Sequence, residues 1–151
     1  LVKLSKALDI SKSSLESNLV MVHIRLGDLL KEKKNLVSSQ NYLNEATNYF
    51  NKKLKNPKYI IFTDDLINCE KIITNFLRNN SVYYMENKSS IDVLRDMSRF
   101  SNMILSNSTF GWWAAQFGNT KNRTVVAPSK IKYLFPKPFA IFKNSWVYFN
   151  L

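Results

Sequence analysis

Two patterns of apolar residues alternate along this chain. Short apolar runs rich in β-branched residues are typical of buried strands, and apolar residues that recur every three or four positions are typical of helices. The first pattern predicts strands at residues 19–25, 58–63, 81–85, 102–106 and 124–127. The second predicts one helix between each pair of successive strands, at residues 39–54, 64–77, 91–100 and 110–117.

Strands that alternate with helices are typical of a parallel sheet with helices on both faces, so the predicted fold class is α/β and Rossmann-like. Residues 19–151 are expected to form this domain, and residues 1–18 a linker or helix before it. Residues 29–37 are predicted to be a basic loop, and no element is predicted after residue 133. Such sheets bind ligands beyond the carboxyl ends of their strands, so a binding site is expected there.

The charge of the chain is strongly positive, because 22 basic and 11 acidic residues among 151 give a formal charge of +11. This balance favours anionic partners, namely nucleic acid, an anionic membrane or a phosphorylated ligand. The lysines are scattered, which favours a solvated surface over a nucleic-acid footprint. We therefore expect no nucleic-acid partner, with a basic nucleic-acid-binding domain as the alternative interpretation.

Cysteine content and the start of the chain bear on location. Cys69 is the single cysteine, which excludes an internal disulfide and favours a reducing compartment, and its apolar surroundings in the sequence indicate packing. No apolar run is long enough to span a bilayer. Because the chain begins with Leu1 rather than Met, we expect an upstream segment to be missing. We predict a cytoplasmic protein whose membrane contact, if any, is peripheral to the inner membrane.

The first polar cluster, residues 23–28 (HIRLGD), ends the first predicted strand. Alternation along the strand puts His23 and Arg25 on the same face, and the guanidinium of Arg25 matches the geometry of phosphate oxygens. Gly27 permits a tight turn and a close backbone approach. The alternative is structural, since Arg25 could instead pair with Asp28 and fix the turn.

The second and third clusters end the second and fourth predicted strands. One of Asp64 and Asp65 is expected to cap the next helix, and the other is free to accept the adjacent N–H and NH2 groups of a guanine. Residues 106–113 (SNSTFGWW) place small hydroxyls at a helix N-terminus, where backbone amides favour phosphate. The alternative here is an ordinary cap followed by an aromatic core, with Trp112 or Trp113 packed against the sheet.

In order and spacing, these clusters resemble the motifs of glycosyltransferase family 11. The resemblance rests on residues 23–28, 62–65 and 107–114, is supported by residues 92–98 and 126–128, and covers residues 19–128. It implies the C-terminal, donor-binding half of a GT-B enzyme. It further implies inverting transfer of L-fucose from GDP-β-L-fucose to the 2-hydroxyl of a galactose-ended glycan, with no metal or cofactor. Surface polysaccharide synthesis is the implied setting.

The resemblance also implies roles for individual residues. Arg25 would hold the β-phosphate and stabilise the charge on the departing GDP, and Asp28 is the matched candidate for the catalytic base. The base could also come from the N-terminal half. The remaining substrate-binding residues would be His23 and Asp64 or Asp65 at the guanosine end, Ser108 and Thr109 near the diphosphate, and Asn107 and Phe110 beside them.

Two departures from the family pattern leave alternatives open. Leu26 stands where the family carries a second arginine, which removes one donor to the diphosphate or places that position in the core. The N-terminal half, which shares the acceptor site in GT-B enzymes, is not in this sequence. An inactive nucleotide-binding fragment and a transferase for another GDP-sugar are therefore retained as alternatives.

Overall fold

A computed structural model describes residues 17–32, 39–72, 81–84, 89–118, 122–129 and 145–150. They form a six-stranded sheet in which every pairing is parallel and the strand order is β3-β2-β1-β4-β5-β6. The strands are β1 (Leu19–Ile24), β2 (Lys58–Thr63), β3 (Ser81–Tyr84), β4 (Asn102–Ile104), β5 (Thr124–Pro128) and β6 (Val147–Phe149). The helices are α1 (Gly27–Glu32), α2 (Gln40–Lys53), α3 (Leu66–Ile72), α4 (Ser90–Ser98) and α5 (Thr109–Phe117). The predicted α/β, Rossmann-like class is confirmed.

Alternation along the central strand divides the core between the two faces of the sheet. Val20, Val22 and Ile24 of β1 belong to one buried cluster, which also contains the apolar face of α2. Leu19 and Met21 belong to the other, which contains buried residues of α4 and α5. Helices therefore cover both faces, which explains why β1 is buried along its whole length.

Serine side chains cap α2 and α4 at the positions that the sequence predicts. The hydroxyl of Ser39 accepts the third amide of α2 at 3.1 Å, and that of Ser89 accepts the Asp92 amide of α4 at 3.2 Å. Each bond satisfies one amide that the helix itself leaves without a partner. The predicted starts of both helices are thus confirmed to within one residue.

Tyr42 ties α2 to the middle of the sheet. Its ring is fully buried, and its hydroxyl donates to the carbonyl of Leu105 at 2.6 Å, with the carbonyl of Val126 at 3.4 Å. Burial raises the pKa of this hydroxyl well above its ordinary value, so it remains a donor. The bond fixes the loop that follows β4, from which the candidate site is built.

Two elements differ from the sequence prediction. The predicted loop at residues 29–37 contains most of α1, because Leu26 is buried and its carbonyl accepts the Leu30 amide at 2.9 Å. The short strand β6 lies in the stretch without a predicted element, and it exists through its pairing of Val126 with Val147. Most of the predicted segment at residues 1–18 lies outside the described residues, and so do residues 33–37.

Arg123 joins the ends of two neighbouring helices. Its Nη1 donates to the carbonyl of Ala115 in α5 at 2.6 Å, and its Nη2 donates to the carbonyl of Ser98 in α4 at 2.5 Å. Gly118 leaves room for this arrangement, since a Cβ there would clash with Arg123 Nη2. The guanidinium thus satisfies carbonyls at helix C-termini, where positive charge is favourable.

Other features concern the remaining sequence predictions. Cys69 is buried in the core beside α2, and burial raises the pKa of its thiol to about 12, in agreement with a packing role. None of the helices in the described part of the chain combines the length and apolar character that a membrane span requires.

Candidate functional site

The strand order reverses direction at the centre of the sheet. From β1 the chain proceeds outward to β2 and β3, and it then returns to the other side of β1 with β4, β5 and β6. In open α/β sheets, the carboxyl ends of the two strands at such a reversal flank a crevice that binds ligands. The three polar clusters follow β1, β2 and β4, so the fold brings them to this crevice.

Arg25 lies at the centre of the site and contacts two carboxylates. Its Nη1 is 2.8 Å from Asp64 Oδ2, and its Nε and Nη2 are 3.1 and 2.9 Å from Asp28 Oδ1. The Arg25 side chain is 40% exposed, so its charge faces solvent as well as these partners. The structural alternative, that Arg25 pairs with Asp28, is confirmed, and a second pair with Asp64 is added.

Asp64 connects the ends of β1 and β2. The register pairs Ile24 with Thr63, so Arg25 and Asp64 are the next residues of two adjacent strands. Asp64 Oδ1 also accepts the amide of Leu26 at 2.9 Å. Leu26 itself is fully buried, so its side chain points into the core, as one of the two sequence interpretations requires.

Gly27 permits the turn after β1 to approach the Asp64 carboxylate. A Cβ at this position would lie 2.5 Å from Asp64 Oδ2 and 3.9 Å from Arg25 Cζ. The first of these distances is shorter than any ordinary contact, so a larger residue would push Asp64 away from Arg25. This is the close backbone approach that the sequence predicts at Gly27.

Asp65 is the aspartate that caps α3. Its Oδ1 accepts the Asn68 amide at 3.1 Å and its Oδ2 accepts the Asn68 side-chain amide at 2.7 Å. These hydrogen bonds lower the pKa of Asp65. The prediction that one of the two aspartates caps the helix is therefore confirmed, and Asp65 is that residue. Asp64, the other aspartate, is directed to Arg25.

Asp28 lies in the first turn of α1, and its side chain is 57% exposed. Desolvation raises the pKa of its carboxyl, but the charge and hydrogen bond of Arg25, together with the amides of its own turn, hold the pKa below the ordinary value. Asp28 is thus ionised and able to accept a proton, although its basicity is reduced while Arg25 holds it.

His23, in β1, is buried against the start of α5. Its Nδ1 is 2.9 Å from Ser106 Oγ, and the Phe110 ring lies 6.0 Å from the imidazole. A Cβ on Gly111 would lie 2.6 Å from the same nitrogen, so only glycine fits there. Burial lowers the pKa of His23 to about 4, with a raising effect from Asp64 and a lowering effect from Arg25. The imidazole is therefore neutral near pH 7.

The loop between β4 and α5 contains the third cluster. Ser108 caps α5 by accepting the Phe110 amide at 3.3 Å, and Thr109 begins the helix half-buried. Asn107 precedes them with 2% of its surface exposed, and both polar atoms of its side chain lack a hydrogen-bond partner among the described residues. Buried polar groups without a partner are rare, and at a helix N-terminus such a group is suited to a bound ligand.

The aromatic residues of α5 divide between core and surface. Phe110 packs against the core with Ala114 and Ala115, whereas neither Trp112 nor Trp113 belongs to the core clusters of the described residues, so the predicted packing of one of them against the sheet is not confirmed. Trp113 is instead 45% exposed and stacks on Phe117, with ring centroids 5.2 Å apart. Trp112 is partly buried and meets Trp113 edge to face.

Sequence reasoning named Arg25, Asp28, Asp64 and His23 individually but missed two links. These are the ion pair between Arg25 and Asp64 and the contact of His23 with Ser106. The available signal was the position of all these residues directly at strand ends. In the part of the chain that the structure describes, no three His, Cys, Asp or Glu side chains are grouped as metal ligands would be.

We expect the buried, neutral His23 to make stability depend on pH. The unfolded chain binds a proton near pH 6.5 and the folded chain only near pH 4, so the free energy of unfolding falls as the pH falls through this window. Between pH 7.5 and 5.5 the loss is expected to be about 1.3 kcal/mol, measured by urea unfolding.

The control is a His23→Gln variant, because His23 is the single histidine of the sequence. The difference between the two pH profiles then contains the contribution of this group alone. Identical slopes for the parent chain and the variant between pH 7.5 and 5.5 would contradict the prediction.

Comparisons with known proteins give a consistent result. The profile of glycosyl transferase family 11 matches residues 4–150. The alpha-1,2-colitosyltransferase of Escherichia coli is 29% identical over 119 residues, which are 75% of this chain and 41% of that protein. The O-antigen biosynthesis glycosyltransferase WbnK of Escherichia coli is 31% identical over 123 residues, which are 76% of this chain and 39% of that protein.

A mammalian relative is similar at the same level. The galactoside 2-alpha-L-fucosyltransferase SEC1 of Bos taurus is 28% identical over 143 residues, which are 87% of this chain and 38% of that protein. The chain thus spans about two-fifths of the length of these relatives. No solved structure matches it.

Proposed function

Because the chain belongs to glycosyl transferase family 11, we propose that it binds the nucleotide-sugar donor in the inverting transfer of L-fucose from GDP-β-L-fucose to the 2-hydroxyl of a galactoside. The names of the relatives support this proposal, since they include a galactoside 2-alpha-L-fucosyltransferase and a galactoside alpha-(1,2)-fucosyltransferase. The chain would supply the donor-binding half of a GT-B enzyme.

The observation that carries the proposal is the meeting of a cation and a helix N-terminus at one crevice. Arg25 follows β1, and α5 begins after β4, directly beside it in the sheet. Cleavage of the fucose–phosphate bond leaves negative charge on GDP, which a guanidinium and aligned amides stabilise as it develops. The unpartnered side chain of Asn107 supports a bound ligand at the same place.

The other site residues take roles consistent with their surroundings. Ser108 and Thr109 would lie along the diphosphate, and Phe110 would support His23 at the guanosine end. A neutral imidazole can donate or accept a hydrogen bond toward a ligand without a charge. Asp28 is our candidate for the base that accepts the proton of the acceptor hydroxyl, because it is exposed and ionised beside Arg25.

The proposal includes three further expectations. Transfer requires no metal, since Arg25 and the amides of α5 supply the positive charge. The protein acts in the cytoplasm, and its basic surface allows peripheral contact with anionic lipid at the inner membrane. The acceptor is a glycan that ends in galactose, in the synthesis of a surface polysaccharide.

A second candidate differs in the sugar that is transferred. The colitosyltransferase of Escherichia coli is as similar to this chain as the fucosyltransferases are, at 29% identity. Transfer of colitose would use the same nucleotide crevice, because the contacts to a diphosphate do not depend on the sugar. The donor sugar therefore has to be decided by a competition experiment.

The decisive experiment titrates the chain calorimetrically with GDP-fucose, GDP and GMP in the presence of EDTA. We expect saturable binding of GDP-fucose and GDP and weaker binding of GMP. GDP-mannose and nucleotide-activated colitose are the competing donors, and NMR of the product on a galactoside acceptor identifies the linkage. Failure of a folded chain to bind GDP, together with salt-sensitive binding of RNA or DNA, would favour the nucleic-acid alternative instead.

A further inference from the structure

The two carboxylates that contact Arg25 are held in different ways. Asp64 binds Nη1 of Arg25 through Oδ2 at 2.8 Å and accepts the Leu26 amide through Oδ1 at 2.9 Å. It thereby connects β2 to both the side chain and the backbone that follow β1. Asp28 offers a single oxygen, Oδ1, to Nε and Nη2 of Arg25, and its other bonds are to amides of its own turn.

Exposure and packing also indicate that Asp64 is held more firmly than Asp28. The Asp64 side chain is 29% exposed and that of Asp28 is 57% exposed. The backbone at Gly27 packs directly against Asp64, since a Cβ there would lie 2.5 Å from Oδ2. Asp64 is therefore tied to the turn through the Leu26 amide as well as to Arg25, whereas the more exposed Asp28 has room to move into solvent.

We propose that Asp64 is a fixed brace that positions the Arg25 guanidinium, and that Asp28 is a placeholder whose position the β-phosphate of the donor takes. This inference rests on the proposed function. A phosphate offers oxygen acceptors to the same Nε and Nη2 edge of the guanidinium that Asp28 contacts through Oδ1. The ligand-free site thus holds Arg25 in the orientation that the phosphate needs.

The inference changes the expected role of the second cluster. Asp64 acts through Arg25, so it is a positioning residue. Asp65 uses both carboxylate oxygens on Asn68 at the start of α3.

The expected changes in anion affinity have opposite signs for the two aspartates, which distinguishes this inference from simple electrostatics. Removal of either negative charge beside Arg25 would by itself strengthen the binding of an anion. Under the proposed division, Asp64→Asn loosens the guanidinium and weakens binding, whereas Asp28→Asn removes a competitor and strengthens it. Asparagine keeps the size of aspartate and an oxygen that can accept the Leu26 amide, so the turn is preserved.

The experiment measures the affinities of GDP, GMP and inorganic pyrophosphate for the parent chain and both variants by calorimetry. We expect Asp64→Asn to bind GDP and pyrophosphate about tenfold more weakly, the effect of one lost charge-assisted bond, with little change for GMP. We expect Asp28→Asn to bind GDP more tightly by up to about fivefold, since exposed ion pairs are weak.

The control is Asp92→Asn, which breaks a separate aspartate–arginine pair, with Arg95 on α4 at 2.6 Å, and should leave all three affinities unchanged. Equal or tighter binding of GDP and pyrophosphate by Asp64→Asn, an equal loss for GMP, or weaker binding by Asp28→Asn would overturn the inference. If pyrophosphate shows the expected pattern but the parent chain does not prefer GDP to GMP, the positioning role of Asp64 is supported and the proposed donor is wrong.

Discussion

An Arg25→Ala variant is expected to bind GDP about a hundredfold more weakly than the parent chain, with a much smaller change for guanosine. Hydrogen bonds between a charged group and its partner contribute about 1.5–3 kcal/mol each, and about 1.4 kcal/mol corresponds to a tenfold change in affinity. The substitution also leaves Asp28 and Asp64 without the cation that neutralises them. Two unpaired carboxylates at the crevice would then repel the diphosphate.

The same variant should lose more in turnover than in donor binding. In the proposed transfer the β-phosphate gains negative charge as the bond to fucose breaks, so we expect Arg25 to bind the transition state more strongly than the bound donor. In transfer assays kcat should therefore fall by a larger factor than KM rises. Calorimetry with GDP and guanosine gives the binding difference independently of any transfer.

The control is Arg95→Ala, which removes an arginine that is likewise paired with an aspartate three residues away, from the exposed surface of α4. Its affinity for GDP should equal that of the parent chain. An Arg25→Lys variant should recover part of the attraction but not the two-point geometry of the guanidinium. If Arg25→Ala bound GDP as tightly as the parent, Arg25 would not be the β-phosphate ligand.

Replacement of Arg123 by alanine is expected to lower the free energy of unfolding by about 3 kcal/mol, because it removes charge-assisted bonds to two carbonyls. These carbonyls, of Ala115 and Ser98, lie at the C-terminal ends of α5 and α4, where the helices cannot supply donors themselves. Urea unfolding followed by circular dichroism measures the loss.

Arg95→Ala is the control for this variant as well. Arg95 is 66% exposed on α4 and contacts Asp92, and exposed pairs of this kind contribute at most about 1 kcal/mol. The two arginine variants should therefore differ by about 2 kcal/mol or more in the free energy of unfolding. Equal stabilities of the two variants would mean that water satisfies the carbonyls of Ala115 and Ser98 as well as Arg123 does.

Local signals predicted most of the fold, and they failed where partners distant in the sequence decide the structure. The bounds of β2 and the cap at Ser39 follow from apolar periodicity and hydroxyl placement alone. The helix α1 was hidden by the charged run after Leu30, although Leu26 and Leu30 have helical spacing. The strand β6 has three half-buried residues and gains its conformation from β5, which local patterns do not contain.

The site shows the same limit at the level of single residues. The sequence presents Asp64 and Asp65 as equivalent neighbours, and the register of β1 against β2 is what directs Asp64 to Arg25. Likewise, His23 meets Ser106 because β4 is the other neighbour of β1. Residue types and strand ends were predictable from the sequence, whereas the pairs required the order of the strands.

The position of β1 at the centre of the sheet has a consequence for how the protein folds. Val20 pairs with Tyr59 on one side and with Asn102 on the other, so the central pairings close long loops of chain. Contacts of such sequence separation form slowly, since loop closure costs entropy before the contacts repay it. The crevice is complete only when both pairings exist, so we expect a nucleotide to bind the finished fold alone and to raise its melting temperature in proportion to the logarithm of its concentration.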